Sequence, residues 1–149
     1  MENFPSRPGT LENDLTLLGL DYGRKRIGVA VGQTVTRTAS PLTVLNVVKR
    51  RPDWNALSQL IRSWRPDALV VGLPLRMDGK EQPLTGDARR FMRQLQGRYG
   101  LPVYGVDERL STIEARGWGR ARRAALDAVA AQVILEAWLT GATAELPDA

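Results

Sequence analysis

Apolar residues occur in short runs near the start of the chain and with a helical period further along. Positions 15–20 are almost continuously apolar, which is typical of a buried central strand. Residues 26–32 alternate Ile and Val with Gly and Ala, so they predict a second strand with one bulky and one small face. A third strand is predicted over 39–45, where Pro41 is typical of a position near a sheet edge.

The rest of the pattern alternates helices with strands. Asp53 is predicted to cap a helix that extends to Trp64, and Thr85 to cap a second helix that Gly100 ends. Further segments are predicted as strands over 68–71 and 102–106, a helical start over 110–116 and a last helix over 122–139. The order βββαβαβαα predicts an α/β protein whose mixed sheet is covered by helices.

The chain length of 149 residues is that of one domain, expected over 15–140 with loose tails at 1–14 and 141–149. No stretch reaches the roughly 18 apolar residues of a membrane span. Positions 1–14 lack the apolar core of a signal peptide. Together with the absence of cysteine, these features predict a cytoplasmic protein with no membrane partner.

The chain contains no cysteine and no histidine. This excludes a disulfide framework, a thiol nucleophile, a Cys/His zinc site and a serine–histidine–aspartate triad. A general acid or base must therefore be a carboxylate, Lys, Tyr or a metal-bound water. A metal ion would need oxygen ligands, which favours magnesium, manganese or calcium.

Positive charge dominates the sequence, with 21 basic against 16 acidic residues. Positions 15–140 hold 20 basic and 11 acidic residues, a net charge of +9, and 18 of the 21 basic residues in the chain are Arg. The planar guanidinium matches phosphate, so nucleic acid is the first partner to consider. A genome rich in G and C would produce the same Arg usage without such a partner.

Three acidic positions stand where α/β proteins place their chemistry. Asp21 ends the first strand, and Asp107 and Glu108 follow the strand over 102–106. Neighbouring side chains point to opposite sides of a strand, so one of that pair faces Asp21. Asp127 lies on an otherwise apolar helix face, where an uncompensated charge is costly. Each acid also has a purely structural alternative: a turn residue for Asp21, a helix N-cap for Asp107 and a residue of the first helical turn for Asp127. If the acids converge, divalent cations would offset their repulsion and support phosphodiester hydrolysis.

Four motifs occur along the chain. In order they are Leu-Gly-Leu-Asp-Tyr-Gly-Arg-Lys-Arg-Ile-Gly-Val-Ala-Val at 18–31, Val-Val-Gly-Leu-Pro-Leu-Arg-Met-Asp-Gly at 70–79, Val-Asp-Glu-Arg-Leu-Ser-Thr at 106–112 and Leu-Asp-Ala-Val-Ala-Ala at 126–131. Together they resemble the motifs of the YqgF family, also called RuvX, of pre-16S rRNA nucleases. Two departures are Gly32-Gln33 in place of the usual Ser-Asp pair, and a segment 114–126 that is shorter than usual.

The resemblance implies a ribonuclease H-like fold, with a mixed five-stranded sheet of order 3-2-1-4-5 and an antiparallel second strand. It implies trimming of the 5′ end of pre-16S rRNA during ribosome biogenesis, with Mg²⁺ or Mn²⁺ as cofactor. Carried over by position, Asp21, Glu108 and Asp127 are the catalytic and metal-binding residues. Precursor rRNA, and with it ribosomal particles, would be the partner of a monomer or weak homodimer.

Further residues are predicted to bind the substrate. They are Gly23, Arg24, Lys25 and Arg26 at the first hairpin, Arg76 and Lys80 on the loop 74–86, and Arg109, Arg122 and Arg123 later in the chain. Gly23 and Gly28 have no side chain, so they would let a phosphate come close to the backbone of the hairpin. A solvated hairpin tip and an ordinary surface loop are the structural alternatives for the first two groups.

Two other functions fit the same features. The fold's relatives suggest a Holliday-junction resolvase, which would require a symmetric dimer with two active sites. A non-catalytic nucleic-acid-binding factor for assembly or transcription would use the Arg surface and leave the acids to cap helices.

Overall fold

The computed structural model describes residues 14–108, 120–141 and 145–146, and for 120–124 and 145–146 it describes the backbone alone. The strands are β1 (Thr16–Tyr22), β2 (Arg26–Gln33), β3 (Thr38–Val48), β4 (Arg51–Pro52), β5 (Ala68–Leu73), β6 (Val103–Asp107) and β7 (Glu145–Leu146). The helices are α1 (Trp54–Trp64), α2 (Pro83–Tyr99) and α3 (Arg120–Thr140). None of the helices in these ranges is long and apolar enough to cross a membrane.

One sheet runs through the molecule in the order β4-β3-β2-β1-β5-β6-β7. β1 is antiparallel to β2 and parallel to β5, which is parallel to β6. The five long strands therefore confirm the predicted 3-2-1-4-5 order with an antiparallel second strand. The two-residue edge strands β4 and β7 were not predicted, and β7 corrects the expectation that 141–149 is entirely a loose tail, because it pairs with β6.

Helices cover both faces of the sheet. Leu57 of α1 and Phe91 of α2 belong to the core on one face, together with Leu18 and Leu20 of β1. On the other face, buried residues of α3 pack against alternate strand positions such as Leu17. Because side chains alternate along β1, odd-numbered residues face α3 and even-numbered residues face α1 and α2.

The two predicted helix caps have different outcomes. Asp53 caps α1 as predicted, since its side chain accepts a hydrogen bond from Ala56 N. Thr85 takes part in capping but is not the N-cap residue, because α2 already begins at Pro83 with Gln82 as its N-cap, and Thr85 is the N3 residue of the capping box. The buried Thr85 hydroxyl accepts from Gln82 N, which completes the capping box, and donates to Pro74 O, which ties α2 to the loop before it. The helical start predicted over 110–116 lies outside the described residues.

α3 approaches the sheet closely because the strand residues beneath it are small. A Cβ built on Gly28 would lie 1.9 Å from Asp127 O, and one built on Gly19 would lie 2.8 Å from Leu135 Cβ. Ala131 is fully buried on the facing side of the helix. The small face predicted for the second strand is therefore the seat of α3. This contact, rather than an approach by phosphate, is what Gly28 permits.

Three exposed basic residues adopt a left-handed backbone at two sheet turns. Lys49 and Arg50, between β3 and β4, have φ values of 54° and 65°, and Arg37, between β2 and β3, has a φ of 57°. Positive φ at both residues of a two-residue hairpin is the type I′ geometry, which favours Asn-Gly. Each such non-glycine residue costs on the order of 1 kcal/mol.

Candidate active site

Asp21 lies near the C-terminal end of β1, in a gap between two glycines. Its partners in the neighbouring strands are Gly28 of β2 and Gly72 of β5. Paired residues project on the same side of a sheet, so no neighbouring strand side chain crowds the Asp21 carboxyl. The side chain points toward α3, because it shares the sheet face of Leu17.

Glu108 reaches Asp21 across the intervening strand. It directly follows β6, whose last residue Asp107 pairs with Leu73 of β5. Glu108 Oε1 is buried and lies 3.0 Å from where a Gly72 Cβ would stand, so the missing side chain at Gly72 leaves the path open. The two carboxyl groups are hydrogen-bonded to each other. The structure thus selects Glu108, rather than Asp107, as the acid that meets Asp21.

Burial is the main reason why this pair holds a proton. Burial raises the pKa of Asp21 from 3.8 to about 6. The hydrogen bond from Glu108 lowers this pKa, and the negative charge of Asp127 raises it further. Burial also raises the pKa of Glu108 from 4.5 to about 9, with further increases from the Asp21 charge, the hydrogen bond to Asp21 and the Asp107 charge. Near neutral pH, Glu108 is therefore the protonated donor and Asp21 the charged acceptor.

Asp127 lies at the margin of this pair and is held by an arginine. Arg26 Nε donates to Asp127 Oδ2 over 2.5 Å, and the two side chains are 27% and 29% exposed. Asp127 is close enough for its charge to act on Asp21. Within the described ranges, however, no three acidic side chains are grouped closely enough to hold a metal ion. Arg26 forms this ion pair in the structure, and its contact with phosphate stays a prediction.

The other predicted substrate residues of the first hairpin lie at the same sheet edge, directly after Asp21. A Cβ on Gly23 would lie 2.7 Å from Arg26 O, so this glycine is required by the tight turn itself. Arg24 Nε lies 3.3 Å from Asp87 Oδ2 of α2. Lys25 is exposed, and its carbonyl accepts from Val47 N. Contact of these residues with substrate remains a prediction.

The loop after β5 also lies at this edge, since β5 is parallel to β1. Within the loop, Leu75 forms a bridge with Glu81, and Arg76 N donates to Lys80 O. Arg76 and Asp78 form an exposed ion pair at 3.8 Å, and Lys80 is exposed. The loop is therefore a small closed hairpin that presents both predicted basic side chains to solvent.

Three predicted residues cannot be placed at side-chain level. Arg109 lies outside the described residues. Arg122 and Arg123 lie in the first turns of α3, where the structure describes only the backbone. Two basic residues near Tyr22 at the same sheet edge, Arg50 and Arg90, were not predicted as substrate-binding residues. The run Lys-Arg-Arg at 49–51 was a signal that could have indicated the first of them.

Two solved structures share the fold. One is RuvC of Thermus thermophilus in complex with a Holliday junction substrate, with a TM-score of 0.53 and 17% identity over 89% of this chain and 99% of that chain. The other is a Thermus thermophilus RuvC structure with a TM-score of 0.51 and 16% identity, covering 89% of this chain and 100% of that one. These similarities confirm the ribonuclease H-like fold.

Sequence relatives are much more similar. A protein of Nitrosococcus oceani is 54% identical over 142 residues, which cover 91% of this chain and 90% of that protein. Relatives from Azotobacter vinelandii and Klebsiella pneumoniae are 52% and 48% identical, each covering 83% of this chain and 92% and 94% of their own lengths. All three carry the name "Putative pre-16S rRNA nuclease". A family model described as "RuvX: Holliday junction resolvase" matches residues 15–141. With that match and relatives at about half identity, the chain belongs to the RuvX family.

Proposed function

We propose that this protein is a divalent-metal-dependent nuclease that hydrolyses RNA phosphodiesters and processes the 5′ end of pre-16S rRNA. The observation that carries the proposal is the contact between the partly buried Asp21 and Glu108 at the edge where β1 and β6 end, with Asp127 beside it. Membership of the RuvX family supports a nuclease. The names of the relatives support pre-16S rRNA as the substrate.

The residues present fit a hard divalent cation such as Mg²⁺ or Mn²⁺. Asp21 and Glu108 supply the carboxylate oxygens that these ions prefer. Mg²⁺ is commonly held by one or two carboxylates, completed by water and substrate phosphates, so a two-carboxylate site is sufficient. When bound, such an ion offsets charge on the phosphate and lowers the pKa of a coordinated water. Asp127 would join these ligands if its ion pair with Arg26 opened.

The chain's own residues divide the remaining work. Loss of the shared proton gives Asp21 and Glu108 a combined charge that favours a cation. Arg26 neutralises Asp127 and so limits repulsion between the three acids. Arg24 and Lys25 at the hairpin, and Arg76 and Lys80 on the loop, flank this edge, where we propose that they hold phosphates next to the scissile bond. Arg109, Arg122 and Arg123 are proposed to do the same.

Replacing Asp21 by Asn tests the active site. We expect Asp21→Asn to fold normally and to reduce Mg²⁺- or Mn²⁺-dependent cleavage of a pre-16S 5′-end RNA by about a hundredfold or more, because the charge that holds the cation is removed. Asp67→Asn is the matched control. Asp67 is exposed, accepts from Thr16 N at the opposite end of β1 and keeps an acceptor as Asn. Unchanged cleavage by Asp21→Asn would contradict the proposal.

The second candidate function is cleavage of four-way DNA junctions, which the description of the family model favours. A resolvase places two active sites by a symmetric dimer, so it predicts a dimer in solution and paired cuts in junction DNA. Comparing cleavage of junction DNA with that of pre-16S RNA, alongside the mass in solution, separates the two functions. RNA binding without any metal-dependent cleavage would favour a non-catalytic assembly or transcription factor.

The same proposal includes the cellular setting. A nuclease for precursor rRNA would work in the cytoplasm on ribosomal particles, as a monomer or weak homodimer with one catalytic domain over 15–140. Co-sedimentation with ribosomal precursor particles would test this setting.

A further inference from the structure

A second charged surface lies on the other side of the strand end that carries Asp21. Tyr22 follows Asp21 directly, so its side chain points to the α1 and α2 side of the sheet. It is buried against Phe91 of α2, with the ring centroids 5.0 Å apart. The rim around this tyrosine is formed by three connected parts of the fold: the β1–β2 turn, the β3–β4 turn and α2.

Each of these parts contributes an arginine. Arg24, Arg50 and Arg90 are all close enough for their charges to act on the Tyr22 phenol, as is the acidic Asp87. Asp87 is already engaged by Arg24 at 3.3 Å. Arg50 and Arg90 are exposed, and no acidic side chain in the described part of the chain lies within ion-pair distance of either. The cluster therefore carries a net positive charge facing solvent.

The β3–β4 turn is held in this position by the sheet. Val47 N donates to Lys25 O over 2.9 Å, which joins the two turns side by side. The turn itself places Lys49 and Arg50 in left-handed conformations where Asn-Gly would be more stable. Beside it lies an open groove of about 720 Å³, lined by Asn46, Val48, Lys49, Arg51 and Asp53. Unfavourable backbone geometry that presents two basic side chains at a sheet edge is typical of a functional segment.

We propose that Arg24, Arg50 and Arg90 bind consecutive backbone phosphates of the RNA strand on one side of the scissile bond. This inference rests on the proposed nuclease function and adds a binding surface to it. A strand whose scissile phosphate lies at Asp21 meets Tyr22 and this cluster when it crosses the end of β1. Arginine suits this role because its planar fork pairs with phosphate oxygens in a bidentate manner.

Two glycine variants test the surface with matched backbones. Arg50→Gly and Arg37→Gly each remove one exposed charge from a residue with positive φ, 65° and 57° respectively. Arg37 lies at the opposite end of the sheet, since the β2–β3 turn begins with Thr34 bonded to Leu15 O. Glycine favours both conformations, so neither variant is expected to lose stability.

The measurement is binding of a fluorescent single-stranded RNA from the pre-16S 5′ end, by anisotropy in EDTA over a range of salt concentrations. Arg50→Gly should lower the affinity several-fold and reduce the slope of log K against log salt by about 0.7, the value for one lost phosphate contact on a single strand. Arg90→Gln should have a similar effect, and Arg37→Gly should leave the slope unchanged.

Equal slopes of log K against log salt for Arg50→Gly, Arg37→Gly and the parent protein would contradict the proposed phosphate-binding surface. RNA cleavage, and thus the proposed function, would be unaffected by that result. A slope change with junction DNA but none with RNA would overturn its assignment to an RNA strand. If the parent protein neither bound nor cleaved RNA, the proposed function would fail together with this inference.

Discussion

The two faces of the β1 end differ in how the protein treats charge. On the α3 face, Asp21 and Glu108 are partly buried and share a proton. On the α1 and α2 face, Arg50 and Arg90 lie near enough to the buried Tyr22 for their charges to act on it but remain exposed. Asp21 and Tyr22 are consecutive residues, so the alternation of a single strand separates the two environments.

This difference shows what each task requires of the fold. A pair of acids that resists ionisation needs close packing, which glycines beneath α3 provide. A phosphate-binding surface needs long cationic side chains that solvent and substrate can reach. The acidic face should therefore be sensitive to packing and pH, and the basic face to charge and salt.

The largest expected effect comes from filling the space under α3. Gly28→Ala would place a Cβ 1.9 Å from the backbone oxygen of Asp127, so the helix must move. We expect a loss of about 3 kcal/mol in the free energy of unfolding, measured with urea, and loss of cleavage at temperatures where the variant is folded. RNA binding by the basic face should persist.

Gly86→Ala provides the control for that variant. Gly86 lies in α2, and apart from its chain neighbours and the backbone of its own helix no atom lies within 4 Å of a built Cβ. Alanine there should stabilise the protein by about 0.5–1 kcal/mol, because it reduces the entropy lost on folding. Equal stability of the two variants would mean that α3 does not depend on close contact with β2.

The next effect is a dependence of stability on pH in the absence of divalent metal. The pKa values of Asp21 and Glu108 rise to about 6 and about 9 on folding, so the folded state binds more protons than the unfolded state above about pH 4. Stability from this pair is therefore complete at low pH and decreases as pH rises toward 9. Urea denaturation in EDTA across this range would measure a decrease on the order of a few kcal/mol.

Glu108→Gln separates this effect from other titrations. The amide keeps a donor for the Asp21 carboxylate but has no proton to lose, so the stability profile should become flatter above pH 6. Variants on the basic face, such as Arg50→Gly, should keep the parent profile. A profile for Glu108→Gln as steep as that of the parent would assign the pH dependence to other groups.

The smallest effect concerns the ion pair at the margin of the acidic face. Arg26→Gln removes a positive charge and releases Asp127, so Mn²⁺ affinity measured by calorimetry should increase by roughly fivefold, a value limited by the partial exposure of the pair. Arg24→Gln is the control, because its partner Asp87 belongs to the basic face. Weaker Mn²⁺ binding by Arg26→Gln would instead indicate that Arg26 positions Asp127 for the metal.

Local patterns were sufficient for most of the elements. Continuous apolar residues, the alternation over 26–32 and the Asp53 cap all act within a few positions, so the predicted central strands and α1 are confirmed. Thr85 was placed at the N-cap although it is the N3 residue, because Pro83 can begin a helix and Gln82 is not a typical N-cap residue. The edge strands were missed because each is two residues long and depends on a neighbouring strand for its pairing.

The choice of acids followed from residue type and position along the chain. A carboxyl group at the end of a buried strand, and another on an apolar helix face, can be read from the order of residues alone, because their cost is local. Distances between them depend on packing across strands. Gly72 opens the path from Glu108 to Asp21, and Arg26 engages Asp127 from a position 101 residues away. Such contacts arise when separate elements assemble, which is why pairing within the site and the arginine surface around Tyr22 emerged from the folded molecule.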